Sequence, residues 1–199
     1  MDEAERIVGL YQRHGLAFDR LRGRTLFERA WLDRFVASLP ERGSILDIGC
    51  GSGEPVAAYL IGLGYALTGI DSSDTLIALC RERFPAGDWR VADMRELSLG
   101  TRFDGLIAWH SFFHLSMVEQ RLMFPRFAAH AAPGAMLMFT SGPREGIAMG
   151  EFEGEPLFHA SLGAEEYRHL LEVNGFAVLD HVVDDPACGG ATVWLCRKR

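Results

Sequence analysis

A glycine-rich turn after a short apolar run carries the clearest chemical signal in this sequence. Residues 45–53 read Ile-Leu-Asp-Ile-Gly-Cys-Gly-Ser-Gly, so Gly49, Gly51 and Gly53 occupy alternate positions. Because glycine has no Cβ, a bulky ligand can approach the backbone there. The spacing differs from the G-x-x-x-x-G-K-[ST] loop of nucleotide hydrolases and from the G-x-G-x-x-G turn of dinucleotide-binding proteins. Glu54 follows directly, and its charge would repel a phosphate. The turn therefore favours a ligand with a positive centre and no phosphate.

Acidic residues also follow the next two β-rich runs. Asp71 comes at the tip of the run 65–70, where a carboxylate can accept hydrogen bonds from both hydroxyls of a ribose. Asp93 and Met94 follow the run 88–92 and place a carboxylate beside an apolar side chain. That pair could hold an adenine, with Asp93 receiving its exocyclic amine. The acidic positions thus predict an adenosine-containing ligand at one edge of a sheet.

Taken in order, these and other motifs resemble the class I S-adenosylmethionine (SAM)-dependent methyltransferases over residues 45–199. The motifs are Leu46-Asp47-Ile48-Gly49-Cys50-Gly51-Ser52-Gly53, Gly69-Ile70-Asp71-Ser72-Ser73, Ala92-Asp93-Met94, Phe103-Asp104-Gly105-Leu106-Ile107 and Pro133-Gly134-Ala135-Met136-Leu137. The resemblance implies SAM as cofactor and S-adenosylhomocysteine (SAH) as product, with the glycine loop at the methionine part, Asp71 at the ribose and Asp93 at the adenine. The expected cofactor-binding residues are Asp47, Gly49, Cys50, Gly51, Gly53, Asp71, Ser72, Ala92, Asp93, Met94 and Trp109.

The rest of the pattern predicts the elements that hold these residues. From residue 44 onward β-rich runs alternate with helix-length segments, as in a parallel sheet with helices on both faces. The predicted strands are 44–48, 65–70, 88–92, 104–109, 135–140, 176–183 and 191–196, and the predicted helices are 2–14, 25–39, 54–63, 73–84, 117–131 and 164–174. The last two strands are joined by a loop too short for a parallel crossover, so they should form an antiparallel hairpin.

We therefore expect an α/β fold, doubly wound around a mostly parallel seven-stranded sheet, with N-terminal helices. The resemblance implies the strand order 3-2-1-4-5-7-6 with the last strand antiparallel. Residues 1–199 are expected to form a single domain, in which residues 1–40 are an N-terminal helical extension and residues 141–162 are a lid or substrate loop. An ordinary surface excursion anchored by Phe152 and Phe158 is the alternative interpretation of that segment.

Two histidines after the fourth strand are the candidate catalytic residues. His110 and His114 lie where ligands bind in open α/β sheets, and either could accept a proton from the methyl acceptor. The alternative for both is a structural role, in which the ring only hydrogen-bonds backbone. Methyl transfer needs mainly orientation of donor and acceptor, so no catalytic dyad is required. The two histidines straddle a strand-to-loop turn without an H-E-x-x-H pattern, and no metal is expected.

Several side chains are candidates for binding the acceptor because they lie on the N-terminal extension, after the fourth strand, or in the 141–162 segment. They are Tyr11, Phe18, Arg24, Phe112, Arg144 and His159. The resemblance supports this placement of the extension over the cofactor but does not single out particular residues within it.

Composition limits the partners. The chain has 199 residues, 48% of them hydrophobic and 24% charged, with a net charge of -7, which is typical of a globular protein without affinity for phosphate backbones. It contains neither a signal peptide nor an apolar run of about 20 residues, so we expect a cytoplasmic protein that does not enter a membrane. The four cysteines are spaced as free thiols. A small-molecule acceptor is expected rather than nucleic acid, and the protein could be a monomer or a homodimer.

Two other functions share much of this pattern. An NAD(P)-dependent Rossmann oxidoreductase would have the same sheet and acidic ribose ligand, but it should show G-x-G-x-x-G and a Tyr/Lys or Cys catalytic group. A non-catalytic SAM-binding protein would have the same motifs without turnover. The sequence does not identify the acceptor or the atom that is methylated, because one fold hosts all of these chemistries.

Overall fold

A computed structural model describes the backbone of residues 3–199 and the side chains of residue 4 and residues 6–199. The helices are α1 (Glu3–Leu21), α2 (Arg29–Val36), α3 (Val56–Gly62), α4 (Asp74–Arg83), α5 (Met117–His130) and α6 (Ala164–Val173). The strands are β1 (Ser44–Ile48), β2 (Ala66–Asp71), β3 (Asp88–Val91), β4 (Phe103–Ala108), β5 (Ala131–Ser141), β6 (Gly146–Phe152), β7 (Glu155–Ser161), β8 (Phe176–Asp185) and β9 (Ala191–Lys198).

Seven of these strands form one sheet, in the order β3-β2-β1-β4-β5-β9-β8. The pairs β1–β2, β1–β4, β2–β3 and β4–β5 are parallel, whereas β9 runs antiparallel to both β5 and β8. When the strands of this sheet alone are numbered, the order is 3-2-1-4-5-7-6. The predicted fold class, strand order and antiparallel last strand are therefore confirmed.

Two apolar clusters bury the two faces of the sheet. On one face the rings of Phe124, Phe127 and Tyr167 from α5 and α6 pack on alternate residues of the central strands. On the other face side chains such as Trp31 and Phe35 pack together with residues of α3 and α4. The strands between them are buried on both sides, which explains their continuous apolar sequence. None of the helices within the described residues is long and apolar enough to cross a bilayer.

The two N-terminal helices differ in length from those predicted. The predicted helix 2–14 starts at a residue outside the described range, and α1 continues to Leu21. Gly15 allows this course, because a Cβ there would lie 3.3 Å from both Ser73 Oγ and Thr75 Cγ2 at the start of α4. This small residue lets α1 pack closely on α4. The second helix is shorter than predicted and covers Arg29–Val36.

The segment 141–162 was expected to be a lid or substrate loop, with no strand predicted within it. Residues 146–161 instead form an antiparallel hairpin of β6 and β7, a two-stranded sheet separate from the main one. Its turn consists of Glu153 and Gly154, which both have positive φ angles (51° and 78°). Two positive φ angles are what a tight two-residue hairpin turn requires, and glycine supplies one of them without strain.

Candidate functional site

A cleft opens at the carboxyl ends of β1, β2 and β4 and has two adjoining parts. The first, which we call the Asp71 compartment, encloses about 690 Å³ including its mouth and is lined by residues such as Asp71, Ala92 and Met94. The second, the aromatic compartment, encloses about 680 Å³ and is lined by residues such as Trp109 and Phe113. The glycine loop and α1 border both compartments. The motif residues of three strands therefore meet in one place, as expected for an open α/β sheet.

The glycine loop forms the floor between the two compartments. Gly49 and Gly51 have φ angles of 76° and 56°, a region that side chains rarely adopt. A Cβ on Gly49 would lie 2.3 Å from the Cβ of Ser111, and one on Gly51 would lie 3.2 Å from the ring of Phe18. Gly53, by contrast, packs against Phe84 rather than lining the cleft, so its small size serves the fold.

Asp71 at the end of β2 holds the loop and faces the cleft. Its Oδ2 accepts the backbone N–H of Gly51 at 3.0 Å, and its Oδ1 accepts that of Ser73 at 2.9 Å. Burial raises the pKa of Asp71, while these backbone N–H groups oppose the rise. A carboxylate has about four lone-pair positions, so acceptor capacity remains for a ligand. Ser72 also lines this compartment.

Asp93 is the second carboxylate of the Asp71 compartment, and it has a partner that the sequence interpretation did not include. The guanidinium of Arg95 forks onto Asp93 at 2.6 to 3.0 Å and also reaches Glu119 at 3.0 Å. Burial alone would raise the pKa of Asp93, but its hydrogen bonds with Arg95 lower it. An adenine amine would therefore share this carboxylate with Arg95.

Asp47 on β1 is the buried charge of the aromatic compartment. It is only 3% exposed, and among the described side chains no donor hydrogen-bonds to its carboxylate. Burial, with a further contribution from the nearby Asp71, raises the pKa of Asp47 to about 7, and Arg22 opposes the rise. A buried carboxylate without a donor calls for a positive ligand group.

Two further groups of this compartment point to a ligand. The indole Nε1 of Trp109 is buried, and no described protein atom accepts its hydrogen. Arg22, near the end of α1, lines the compartment and pairs with Glu28 at 3.3 Å. Sequence reasoning chose Arg24 instead, but Arg24 bonds Asp19 at 3.1 Å and does not line the cleft. Arg22 follows Phe18 by four residues, about one helical turn, and so lies on the same face. If the predicted helix had been extended to Leu21, this spacing would have placed Arg22 beside Phe18 in the cleft.

The two candidate histidines have different surroundings. His114 has both ring nitrogens engaged: Nδ1 lies 2.9 Å from the carbonyl oxygen of Phe158, and Nε2 lies 3.1 Å from the hydroxyl of Tyr11. Because a carbonyl only accepts, Nδ1 carries the hydrogen and Tyr11 donates to Nε2. Burial lowers the pKa of His114 to about 4, so the ring is neutral and already satisfied. These two hydrogen bonds suit a role of His114 in holding the hydroxyl group of Tyr11 in place.

His110 lines both compartments, and its ring nitrogens bond to no described protein group. Its backbone has a φ angle of 50°, an uncommon conformation for a residue other than glycine. Burial lowers the pKa of His110 to about 4, with Arg22 adding to the effect. The ring is thus a neutral, unpaired hydrogen-bond acceptor at the junction of the two compartments. Within the described residues no cluster of three His, Cys, Asp or Glu side chains is arranged as metal ligands.

Helix α1 and the β6–β7 hairpin meet over the cleft. The ring of Phe152 packs 6.3 Å from that of Tyr11 and 6.4 Å from that of Phe18, measured between centroids. Glu155 on β7 receives the side chains of Arg13 and His14 at 2.5 and 2.6 Å. His159 of the same strand lines the aromatic compartment. The hairpin is therefore a wall of the site.

Three of the residues expected to bind the acceptor lie elsewhere. Phe112 is fully buried between α5 and the sheet, against Phe124 and Phe139, while the next residue, Phe113, faces the aromatic compartment. The short 3-10 turn at Phe112–His114 separates consecutive side chains in this way. Arg144 is exposed in the segment before β6, and Arg24, which pairs with Asp19, does not line the cleft.

This one-residue difference can be tested with a matched pair of variants. Phe112→Leu should reduce the free energy of unfolding by about 1 to 2 kcal/mol, because it leaves a partly unfilled space in the core. Phe113→Leu should cost less than about 1 kcal/mol, since its ring lies at the wall of a cleft. Urea denaturation of both variants measures the difference. Equal losses of stability would contradict the assignment of Phe112 to the core and Phe113 to the cleft.

The fold and the site together define a Rossmann-like ligand-binding protein. Residues 45–134 match the methyltransferase domain family. The chain is 32% identical over 101 residues to dTDP-3-amino-3,6-dideoxy-alpha-D-glucopyranose N,N-dimethyltransferase of Streptomyces fradiae, covering 50% of this chain and 39% of that protein. It is 30% identical over 154 residues to the O-methyltransferase cnsE of Penicillium expansum, covering 71% and 55%. The chain thus spans about two fifths to just over half of the curated relatives named here.

Among solved structures, magnesium protoporphyrin IX methyltransferase of Synechocystis PCC 6803, with bound SAM, superposes with a TM-score of 0.76 at 16% identity and covers 100% of this chain and 98% of that one. Residues 45–134 are thus similar to the methyltransferase domain family, and the chain shares the Rossmann-like fold of this SAM-bound methyltransferase.

Proposed function

We propose that this protein is a SAM-dependent methyltransferase that acts on a small-molecule acceptor. The observation that carries the proposal is one cleft around a glycine loop with Asp71, and with Asp47 and the indole N–H of Trp109, which have no hydrogen-bond partner among the described residues. The names of its relatives support the same chemistry, since they include sugar N,N-dimethyltransferases and O-methyltransferases.

The groups of the cleft fit the parts of SAM. Asp71 would accept the ribose hydroxyls, and Asp93 and Met94 would border the adenine. Asp47 would face the positive charge of the methionine end, which satisfies a buried carboxylate that otherwise has no donor. Arg22 and the indole N–H of Trp109 would bind the carboxylate of that end. Each of these polar groups would thus have a complementary group of SAM as its partner.

When bound, SAM supplies a methyl group on a positively charged sulfur: the acceptor's electron pair forms the new bond to carbon while the carbon–sulfur electrons stay on sulfur. The chain contributes by orienting the two reactants and excluding water. His110 accepts the acceptor's proton, because its ring is neutral and without a protein partner. His114 holds Tyr11 in place through the hydrogen bond described above.

We also infer that residues 1–199 act as one domain in this function. Residues 1–40 then serve as the extension that roofs the cofactor, and the hairpin within residues 141–162 serves as a wall of the acceptor site. The packing of Phe152 on Tyr11 and Phe18 supports this arrangement.

An oxidoreductase that uses NAD(P) fits the cleft less well. The pyrophosphate of such a cofactor would lie at the glycine loop, next to the carboxylates of Asp47 and Glu54, which would repel it. A SAM-binding protein without turnover has the same cofactor site, and only an acceptor assay separates it from an enzyme.

Calorimetric titration with SAM, SAH and NAD tests the proposal. We expect micromolar binding of SAM and SAH and none of NAD. Asp71→Ala should weaken SAM binding at least about tenfold, because each charge-assisted hydrogen bond to the ribose contributes about 1.5 to 3 kcal/mol. Asp88→Ala is the matched control, since Asp88 is exposed on β3 and pairs, within the described part of the chain, only with Arg90. Binding of NAD alone, or an Asp71→Ala variant with unchanged affinity, would contradict the proposed function.

A further inference from the structure

The aromatic compartment differs from a general polar pocket in the chemistry of its walls. Rings from three different elements surround it: Tyr11 from α1, Trp109, His110 and Phe113 from the segment after β4, and His159 from β7. The ring of Phe113 lies 5.1 Å from that of His159 and 5.8 Å from that of His110, between centroids. These separations are typical of aromatic packing, so a flat ring can extend the same set of contacts.

The charges of this compartment exclude an anionic acceptor. Burial lowers the pKa of His110 and His114 to about 4 and also lowers the pKa of His159, so the three imidazoles are neutral at pH 7. The one arginine among the described lining residues, Arg22, pairs with Glu28 at 3.3 Å and would bind the carboxylate of SAM, so it is not left for the acceptor. It also includes the carboxylates of Asp47 and Glu54. A phosphate placed here would lose its hydration without gaining an unpaired cation.

The free acceptor nitrogen of His110 adds a hydrogen-bonding requirement at one point of this aromatic wall. A neutral imidazole without a protein partner is satisfied by an O–H donor of the ligand. A hydroxyl on an aromatic ring also benefits from a base during methylation, because the oxygen must lose its proton as the new bond forms. The wall and the base therefore select the same kind of molecule.

We propose that the acceptor is an uncharged, flat aromatic compound with a hydroxyl group, and that Phe113 and His159 are its specificity-determining residues. For the reaction itself, this inference rests on the proposed function. The hydroxyl proton goes to His110, and the oxygen bonds to the methyl carbon of SAM. The carbon–sulfur bond breaks, and its electron pair stays on sulfur. The products are a methyl aryl ether, SAH and a proton. A nucleotide-linked sugar, which the name of the Streptomyces fradiae relative gives as its substrate, does not suit these walls.

A matched set of ligands tests this class by binding. The set contains 2-naphthol, its saturated analogue decahydro-2-naphthol, 2-naphthyl phosphate and a dTDP-linked amino sugar. Fluorescence of the protein and calorimetry report binding, each measured with and without SAH. We expect 2-naphthol to bind at least about tenfold more tightly than the other three, because it alone combines a flat ring, a hydroxyl and no charge. Tighter binding of the phosphate or the dTDP sugar, or no binding of 2-naphthol, would overturn the proposal.

Two variants locate the effect in these walls. Phe113→Ala should weaken 2-naphthol binding about tenfold while the affinity for SAH stays within about twofold. His159→Lys should raise the affinity for 2-naphthyl phosphate at least about tenfold, because it adds the missing cation. If neither variant changes the binding of its ligand, the walls do not select the acceptor. Absence of SAH binding would contradict the proposed function and not this inference. In that case, the binding of 2-naphthol to the protein without SAH would still test the proposed selectivity of the aromatic compartment.

Discussion

Replacement of His110 by asparagine should lower the rate of methyl transfer by at least about tenfold, which is less than the usual contribution of a general base because burial lowers the pKa of this ring to about 4 and weakens it as a base. Asparagine is chosen because it tolerates the positive φ angle of this position better than most residues. The dissociation constant of SAM should stay within about twofold, since the imidazole acts on the acceptor. Release of SAH with 2-naphthol as acceptor measures the rate, and calorimetry measures SAM binding.

The pH profile provides the second measurement on His110. Its pKa is lowered to about 4, mainly by burial, so the ring is in its basic form throughout pH 6 to 8. At saturating SAM, where the ionisation of Asp47 does not limit cofactor binding, the rate of the wild type should therefore be flat over that range and fall only as the pH approaches 4. His181→Asn, a change on β8 where the ring stacks on Trp194, is the control and should leave the rate unchanged. An unchanged rate in His110→Asn would show that the reaction needs no base at this position.

The parts of the site that lie within short motifs were predictable from the sequence. The glycine loop and Asp71 follow buried strands directly, and parallel strands bring their carboxyl ends to one edge of the sheet. Their positions depend on the strand order alone, and that order was expected from the resemblance. The partner of Asp93 was missed although Arg95 is only two residues away, because a motif gives the position of a carboxylate and not its hydrogen bonds.

The residues from the N-terminal helix and the hairpin were harder to predict, for reasons of register and packing. Whether Phe112 or Phe113 faces the cleft depends on one short 3-10 turn, and no apolar periodicity distinguishes neighbouring phenylalanines. Arg22 was missed because the predicted helix stops at residue 14, so the helix face that carries Phe18 and Arg22 was not continued. In the hairpin, Glu153 and Gly154 were a usable turn signal, but the exposed strand β6 lacks the alternation that indicates a strand.

Replacement of Asp47 should make the protein more stable and at the same time weaken its binding of SAM. Its pKa of about 7 lies above the value of about 3.9 for an unfolded chain, so the folded state binds its proton more tightly. The contribution of Asp47 to stability is therefore fully present below pH 4 and is lost as the pH rises to 7. Asp47→Asn removes this penalty and should raise the free energy of unfolding at pH 8 by about 1 to 3 kcal/mol, after the cost of burying an amide.

The same variant should bind SAM at least about tenfold more weakly, because the buried carboxylate is the group that faces the positive charge of the ligand. In the wild type, affinity for SAM should increase from pH 6 to 7.5 as Asp47 ionises, whereas the affinity of Asp47→Asn should be nearly constant over that range. Urea denaturation at pH 4.5 and pH 8 and calorimetry across the pH series measure both effects. A variant that is less stable than the wild type at pH 8 would contradict the raised pKa. The buried charge of Asp47 thus lowers the stability of the free protein, and a cationic ligand would offset this cost. Such a loss of stability is expected at a residue that serves binding rather than the fold.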